Sequence, residues 1–206
     1  MVMTQKMGVF ILVCCIVAAC SQPAQRLPIL GNPNIEGKDT VYPIIANFSF
    51  TDQDSNTISN QTFANKIYVA DFIFLSCPTI CPKMTSAMHD VYQSYATDER
   101  VAFISHTIDP KHDTIARLKA YASNLGVITN RWHFVTGNQE SILNLSEHSY
   151  FSTAYPDSTS PGGFTHSGGL LLVDKNRHIR GVYNSTKPAE IQRLIADIQL
   201  LLKEQF

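Results

Sequence analysis

Lys66-Ile67-Tyr68-Val69-Ala70-Asp71-Phe72-Ile73-Phe74-Leu75-Ser76-Cys77-Pro78-Thr79-Ile80-Cys81-Pro82 is the run that decides the fold of this 206-residue chain. Lys66 to Leu75 is apolar nearly throughout and rich in Ile, Tyr, Val and Phe, as expected of a strand covered on both faces. From Pro82 to Thr97, Met84, Ala87, Met88, Val91 and Tyr95 recur three or four residues apart, the stripe of an amphipathic helix. At the junction two cysteines stand four residues apart.

Working outward, Val101 to Ile108 repeats the buried-strand pattern. Thr114 to Asn124 puts Ile115, Leu118, Tyr121 and Ala122 on one helical face, and Gly126 closes it. Trp132 to Thr136 reads as a short strand. Asn138 to Ser149 reads as a helix capped by Asn138, with Ile142 and Leu145 inward. Gly169 to Asp174 and His178 to Asn184 flank the turn Lys175-Asn176-Arg177. Pro188 opens a closing helix over Ala189 to Leu202. Upstream, Tyr42 to Phe50 and the polar turn Asp52 to Asn56 predict an N-terminal β-hairpin. Strands alternating with helices and followed by an antiparallel hairpin predict an α/β sandwich with a mixed central sheet. Pro156 to Gly163 is the one long loop signal, and it leads into His166.

The N-terminus reads differently. Lys6 precedes an unbroken apolar run from Met7 to Ala19, shorter than the roughly 20 residues a spanning helix needs. It matches a secretory signal, residues 1–19. Val17-Ala18-Ala19-Cys20 is similar to a bacterial lipobox, which implies cleavage before Cys20 and a lipid on its sulfur. Residues 20–40 then form a polar tether, and 41–206 the exported domain. This predicts a bacterial envelope protein, lipid-anchored and facing the exported side of the membrane. A net charge of −1 offers no basic face, which argues against nucleic acid as a partner. If Cys14, Cys15 and Cys20 are spent at the N-terminus, Cys77 and Cys81 are the only thiols left in the domain. An adjacent pair in an exported protein is suited to use rather than to stapling a fold.

Two chemistries are open to that pair: closing a disulfide, or chelating one soft metal ion. Pro82 fits a first helical turn and puts Cys81 at or near the helix N-cap, where free N–H groups favour a thiolate. Thiolates select copper(I), zinc or iron–sulfur clusters, and two cysteines alone do not close a structural zinc site. A mobile third ligand suits copper(I). Among seven histidines, His89 lies down the helix after the cysteines, and His106 ends a strand. His112, His133, His148 and His178 fall on loop, strand, helix and hairpin positions where the sequence signals no partner ligand. His166 stands apart, between Gly162-Gly163 and Gly168-Gly169, where it could reach the helix mouth. Met84 and Met88 read as core, given their spacing.

Val69 to Pro82, with Asp71 ahead of Cys-Pro-Thr-Ile-Cys-Pro, resembles the Sco/SenC copper-chaperone family. So do Ser105-His106-Thr107-Ile108-Asp109-Pro110 with His112-Asp113-Thr114, and Trp132-His133-Phe134-Val135-Thr136-Gly137. The fourth match is Thr165-His166-Ser167 before Leu172-Val173-Asp174-Lys175, with Ile179-Arg180-Gly181 after it. The four lie in order over about residues 42–202. The resemblance implies a thioredoxin-like fold and a copper site made of Cys77, Cys81 and His166, with Asp109 near the site but not bound. It also implies delivery of copper to the binuclear copper centre of a respiratory cytochrome c oxidase, whose copper-bearing subunit would be the partner. The alternative is a thiol–disulfide oxidoreductase that cycles a Cys77–Cys81 disulfide to reduce that centre's cysteines or other exported proteins. The Cys-x-x-x-Cys spacing loosens the turn and suits chelation. A metallochaperone rather than an enzyme is therefore the expectation. A peroxidase on this scaffold would need an activating arginine, and the nearest in sequence is Arg100, outside the motif.

Overall fold

A computed structural model describes residues 26–128 and 130–206. The expected signal, Cys20 and the start of the tether lie outside the described residues. Eleven strands and four α-helices follow in chain order: β1 Asn34–Glu36, β2 Asp39–Val41, β3 Ser49–Asp52, β4 Thr57–Ser59, β5 Ile67–Ile73, α1 Cys81–Ser94, β6 Val101–Thr107, α2 Ile115–Leu125, β7 Trp132–Thr136, α3 Gln139–His148, β8 Ala154–Pro156, β9 Phe164–His166, β10 Gly169–Val173, β11 Ile179–Asn184 and α4 Pro188–Gln205. No described helix is long and apolar enough to cross a membrane.

The expected mixed sheet has seven strands in the order β11-β10-β5-β6-β7-β3-β4. β5, β6 and β7 run parallel, and the outer pairs are antiparallel. Every residue of β5 and β6 is buried, which explains their continuous apolar runs. Successive side chains alternate between two layers. On one face Tyr92 of α1 packs on Phe103 and Trp132, Tyr121 of α2 packs on Phe134, and the Tyr95 hydroxyl donates to Ile195 O of α4. On the other, Phe48, Phe50, Phe72 and Tyr150 enclose the ring of His106. That histidine is a core residue: burial pushes it down to about 4. In α4, Ile191, Leu194, Ile198, Leu201 and Leu202 form the buried stripe, each worth roughly 1.5–3 kcal/mol over leaving it exposed.

Local signals explain the boundaries. Thr114 accepts the Arg117 N–H at the start of α2, and Asn138 accepts the Ser141 N–H at the start of α3. Gly126 ends α2 in the left-handed region. One expectation needs correction. The strand expected over 42–50 begins only at Ser49, because the Ile45 N–H goes to Arg177 O, that of Ala46 to Ser149 Oγ and that of Phe48 to Asn60 Oδ1. None of these bonds belongs to a ladder. The 156–163 loop is in turn flanked by a short hairpin, β8–β9, which is separate from the main sheet.

Packed structure reaches back to Leu27. The buried Arg180 guanidinium donates to the Leu27 and Pro28 carbonyls and pairs with Asp174 and Glu204, while the Leu30 N–H donates to Ile179 O. Between Leu30 and the domain proper, β1 and β2 form an exposed hairpin.

Candidate metal centre

The C-terminal end of β5 delivers the chain to the cysteines. The Leu75 N–H donates to Asp113 Oδ2 at 3.0 Å, and the Thr107 hydroxyl donates to the same oxygen at 2.6 Å. The loop after β6 thus clamps the start of the cysteine loop. The Cys77 N–H then turns back to Phe74 O, and Pro78 restricts the next step. Ile80 is the N-cap of α1 and Cys81 its first residue, so Cys81 sits one place deeper than the cap. Its N–H donates to Cys77 Sγ at 3.5 Å. Both cysteines are buried free thiols.

The third group arrives from β9. His166 Nε2 lies 3.2 Å from Cys81 Sγ and 4.0 Å from Cys77 Sγ. The two sulfurs and an imidazole nitrogen all fall within 4.8 Å of one another, and among the described residues this is the one such group of three that could hold a metal ion. Phe74 meets the imidazole edge to face, with Phe164 beside it. Close backbone approach makes this possible. A side chain at Gly168 would collide with Ile80, and one at Gly162, which lies at φ +84°, would collide with the Phe74 ring. Two soft thiolates and one imidazole suit copper(I) or zinc, and the donor set holds no carboxylate to favour a hard ion.

The thiols are unequal. Burial works against a Cys77 thiolate, but the His166 imidazole and the N–H groups of Cys81 and Thr79 outweigh it and hold the thiol at about 6. Burial pushes Cys81 well above a free thiol, and the charges of Cys77 and Asp71 add to the effect. The helix mouth was expected to favour a thiolate on Cys81. Its N–H instead serves Cys77, because Cys81 is inside the helix and enclosed.

Asp71 lies beneath the site on β5. It is completely buried, and neither carboxylate oxygen has a hydrogen-bond partner in good geometry. Burial raises it to about 7, and the Ser105 hydroxyl alongside relieves this only in part. That hydroxyl accepts the Trp132 Nε1–H at 2.9 Å. Asp109 is buried outside the three-residue group: its backbone N–H donates to Thr107 Oγ1 and its carboxylate meets His112 Nδ1 at 2.8 Å. His89 pairs with Gln93, His133 with Asp52, and His148 with Asn144 O, while His178 packs against Tyr42. Of the seven, only His166 reaches the cysteines. Sequence reading named all three residues but missed the Asp113 clamp, for which the only signal was an acidic residue just before a helix cap.

Comparison with known proteins gives the family. The family model described as SCO1/SenC matches residues 36–203. A SCO1/SenC family lipoprotein from Bacillus anthracis is 27% identical with a TM-score of 0.71, covering 77% of this chain and 95% of that one. BsSco, described as having a disulfide switch and as a member of the Sco family of cytochrome c oxidase assembly proteins, is 27% identical with a TM-score of 0.68, covering 86% and 98%. ScoI from Bradyrhizobium japonicum, solved with copper bound, is 22% identical with a TM-score of 0.64 over 77% and 99%, a likeness of fold. The sandwich is the thioredoxin-like fold of these proteins, and with four-fifths of its length matched the chain belongs to the SCO1/SenC family.

Proposed function

We propose that this protein is a copper chaperone that holds one copper(I) between Cys77, Cys81 and His166 and passes it to the binuclear copper centre of a respiratory cytochrome c oxidase. The observation that carries this reading is the convergence of two sulfurs and one imidazole nitrogen within 4.8 Å. Copper bound in ScoI and the oxidase-assembly role given for BsSco support it. A three-ligand site drawn from the β5–α1 junction and from β9 leaves copper(I) open to ligand exchange with a partner. Lipid on Cys20 and a tether to Leu27 would keep the domain on the exported side of the membrane, and the lipoprotein relative from Bacillus anthracis supports that arrangement.

Loading must remove the Cys81 proton at neutral pH, while Cys77 is already a thiolate above about 6. Copper(I) affinity should therefore rise about tenfold per pH unit from 7 to 8 and fall more steeply below 6, where both thiols must lose a proton. A chelator competition run across this range measures both slopes. An affinity flat with pH would contradict the pair of thiol ligands.

A second reading rests on the unequal thiols. Cys77 has the character of an attacking thiolate and Cys81 that of a buried partner, the division of labour of a thiol–disulfide oxidoreductase. The disulfide switch described for BsSco is consistent with it. His166→Ala separates the two. A chaperone loses copper(I) affinity, by about a hundredfold, the lower end of one ligand's share, whereas an oxidoreductase goes on reducing a disulfide substrate. Unchanged copper affinity in this variant would reject the imidazole as a ligand.

A further inference from the structure

We propose that Asp157 is a positioning residue for His166: its carboxylate locks the tip of the β8–β9 hairpin so that the imidazole is held at the two sulfurs. This rests on the reading of Cys77, Cys81 and His166 as the ligand set.

The need for a lock follows from the hairpin's isolation. It consists of three residue pairs, Ala154↔His166, Tyr155↔Thr165 and Pro156↔Phe164, and pairs with no strand of the main sheet. A free-standing two-stranded hairpin is marginal in water. His166 is in its last pair, so any slip in register carries the ligand with it. The second ring nitrogen gives no anchor, because Nδ1 is buried without a partner. A ligating histidine is ordinarily oriented by a hydrogen bond from its second ring nitrogen. Here the backbone that carries the ring must set its place.

Asp157 supplies the restraint. Its Oδ1 accepts the Thr159 N–H at 3.0 Å and the Thr159 hydroxyl at 2.6 Å, and its Oδ2 accepts the hydroxyls of Ser160 at 2.6 Å and Thr165 at 2.9 Å. Thr165 is the residue beside His166 on β9, so one carboxylate ties the far strand to the near end of the loop. Bonds to an ionised acceptor are the stronger kind, and the Ser160, Thr159 and Thr165 donors hold this carboxyl far below the usual range. The backbone closes the same loop: the Asp157 N–H donates to Gly163 O, and the Gly163 N–H to Ser160 O. Gly162 then seats the tip on Phe74 and Pro78, which belong to the approach to Cys77. The other end of β9 is fixed by Ser152 and Ser167, whose hydroxyls are 2.7 Å apart, and by the Ser185 hydroxyl donating to Gly168 O.

The test compares full-length wild type, Asp157→Ala, Asp157→Asn and His166→Ala loaded with copper(I). Chelator competition gives affinity, X-ray absorption counts sulfur and nitrogen neighbours, and amide hydrogen exchange on the metal-free proteins reads the hairpin. Asp157→Ala is expected to bind about tenfold more weakly, keep both sulfurs, lose nitrogen occupancy and exchange faster at residues 154–166. Asp157→Asn, whose amide oxygen still accepts from Thr159, should fall between it and wild type. Wild-type affinity and nitrogen count in Asp157→Ala, while His166→Ala loses both, would overturn the lock alone. An affinity loss in Asp157→Ala with nitrogen occupancy intact would also overturn it. A full nitrogen count in His166→Ala would remove the ligand assignment, and the lock with it.

Discussion

Cys77→Ser is expected to lower copper(I) affinity by ~10³-fold. Structural metal sites with four ligands bind with roughly 10–16 kcal/mol, so one ligand's share is about 2.5–4 kcal/mol, or ~10²–10³ in affinity. Cys77 should be at the upper end. It is the thiol held at about 6 and so the ligand already ionised at neutral pH. A serine hydroxyl is a hard, neutral donor that copper(I) does not favour. What remains is Cys81, whose proton burial makes difficult to remove, and one imidazole. The fold should survive, because serine can still accept the Cys81 N–H that now meets Cys77 Sγ. Chelator competition at pH 7.5 measures the loss, and retention within a few-fold of wild type would reject the site.

The second large effect concerns stability. Asp71→Asn should stabilise the metal-free protein by about 2 kcal/mol at pH 8 and not at all at pH 4. An unfolded aspartate titrates near 3.8, whereas the folded carboxyl is raised to about 7 by burial. Between those values the unfolded state binds fewer protons, so stability falls as pH rises through the window and levels off above it. Three units correspond to roughly 4 kcal/mol. A buried amide without good partners gives back about 1–3 kcal/mol of that gain. Urea midpoints of both proteins from pH 4 to 8 test this, and a difference that does not change with pH would refute it. The carboxyl also helps to raise the Cys81 thiol, so the same variant should make Cys81 easier to ionise.

The architecture was legible because its periods are strong. Ile67–Ile73 and Val101–Thr107 are buried at every position, and such runs admit a central parallel strand and little else. Helices α1 to α4 carry apolar stripes and cap or breaker residues at their ends, Asn138 and Gly126 among them. The short elements were less visible. Residues 42–48 have the composition of a strand, but their N–H groups are taken by Arg177 O, Ser149 and Asn60. β8 and β9 are three residues each, too short for a period to register. Asp113 escaped because a hydrogen bond across 38 residues, from Leu75 to Asp113, leaves no local pattern.

The sequence by itself determined the strand-to-helix junction and the spacing of Cys77 and Cys81. These follow from local chemistry: side-chain periodicity, proline's fixed backbone and the length of an apolar run. Only the tertiary structure decided which histidine meets the sulfurs, which thiol is the easier to ionise, and what holds the histidine in place. Those outcomes depend on distance and burial between segments up to 89 residues apart, which no local pattern along the chain displays.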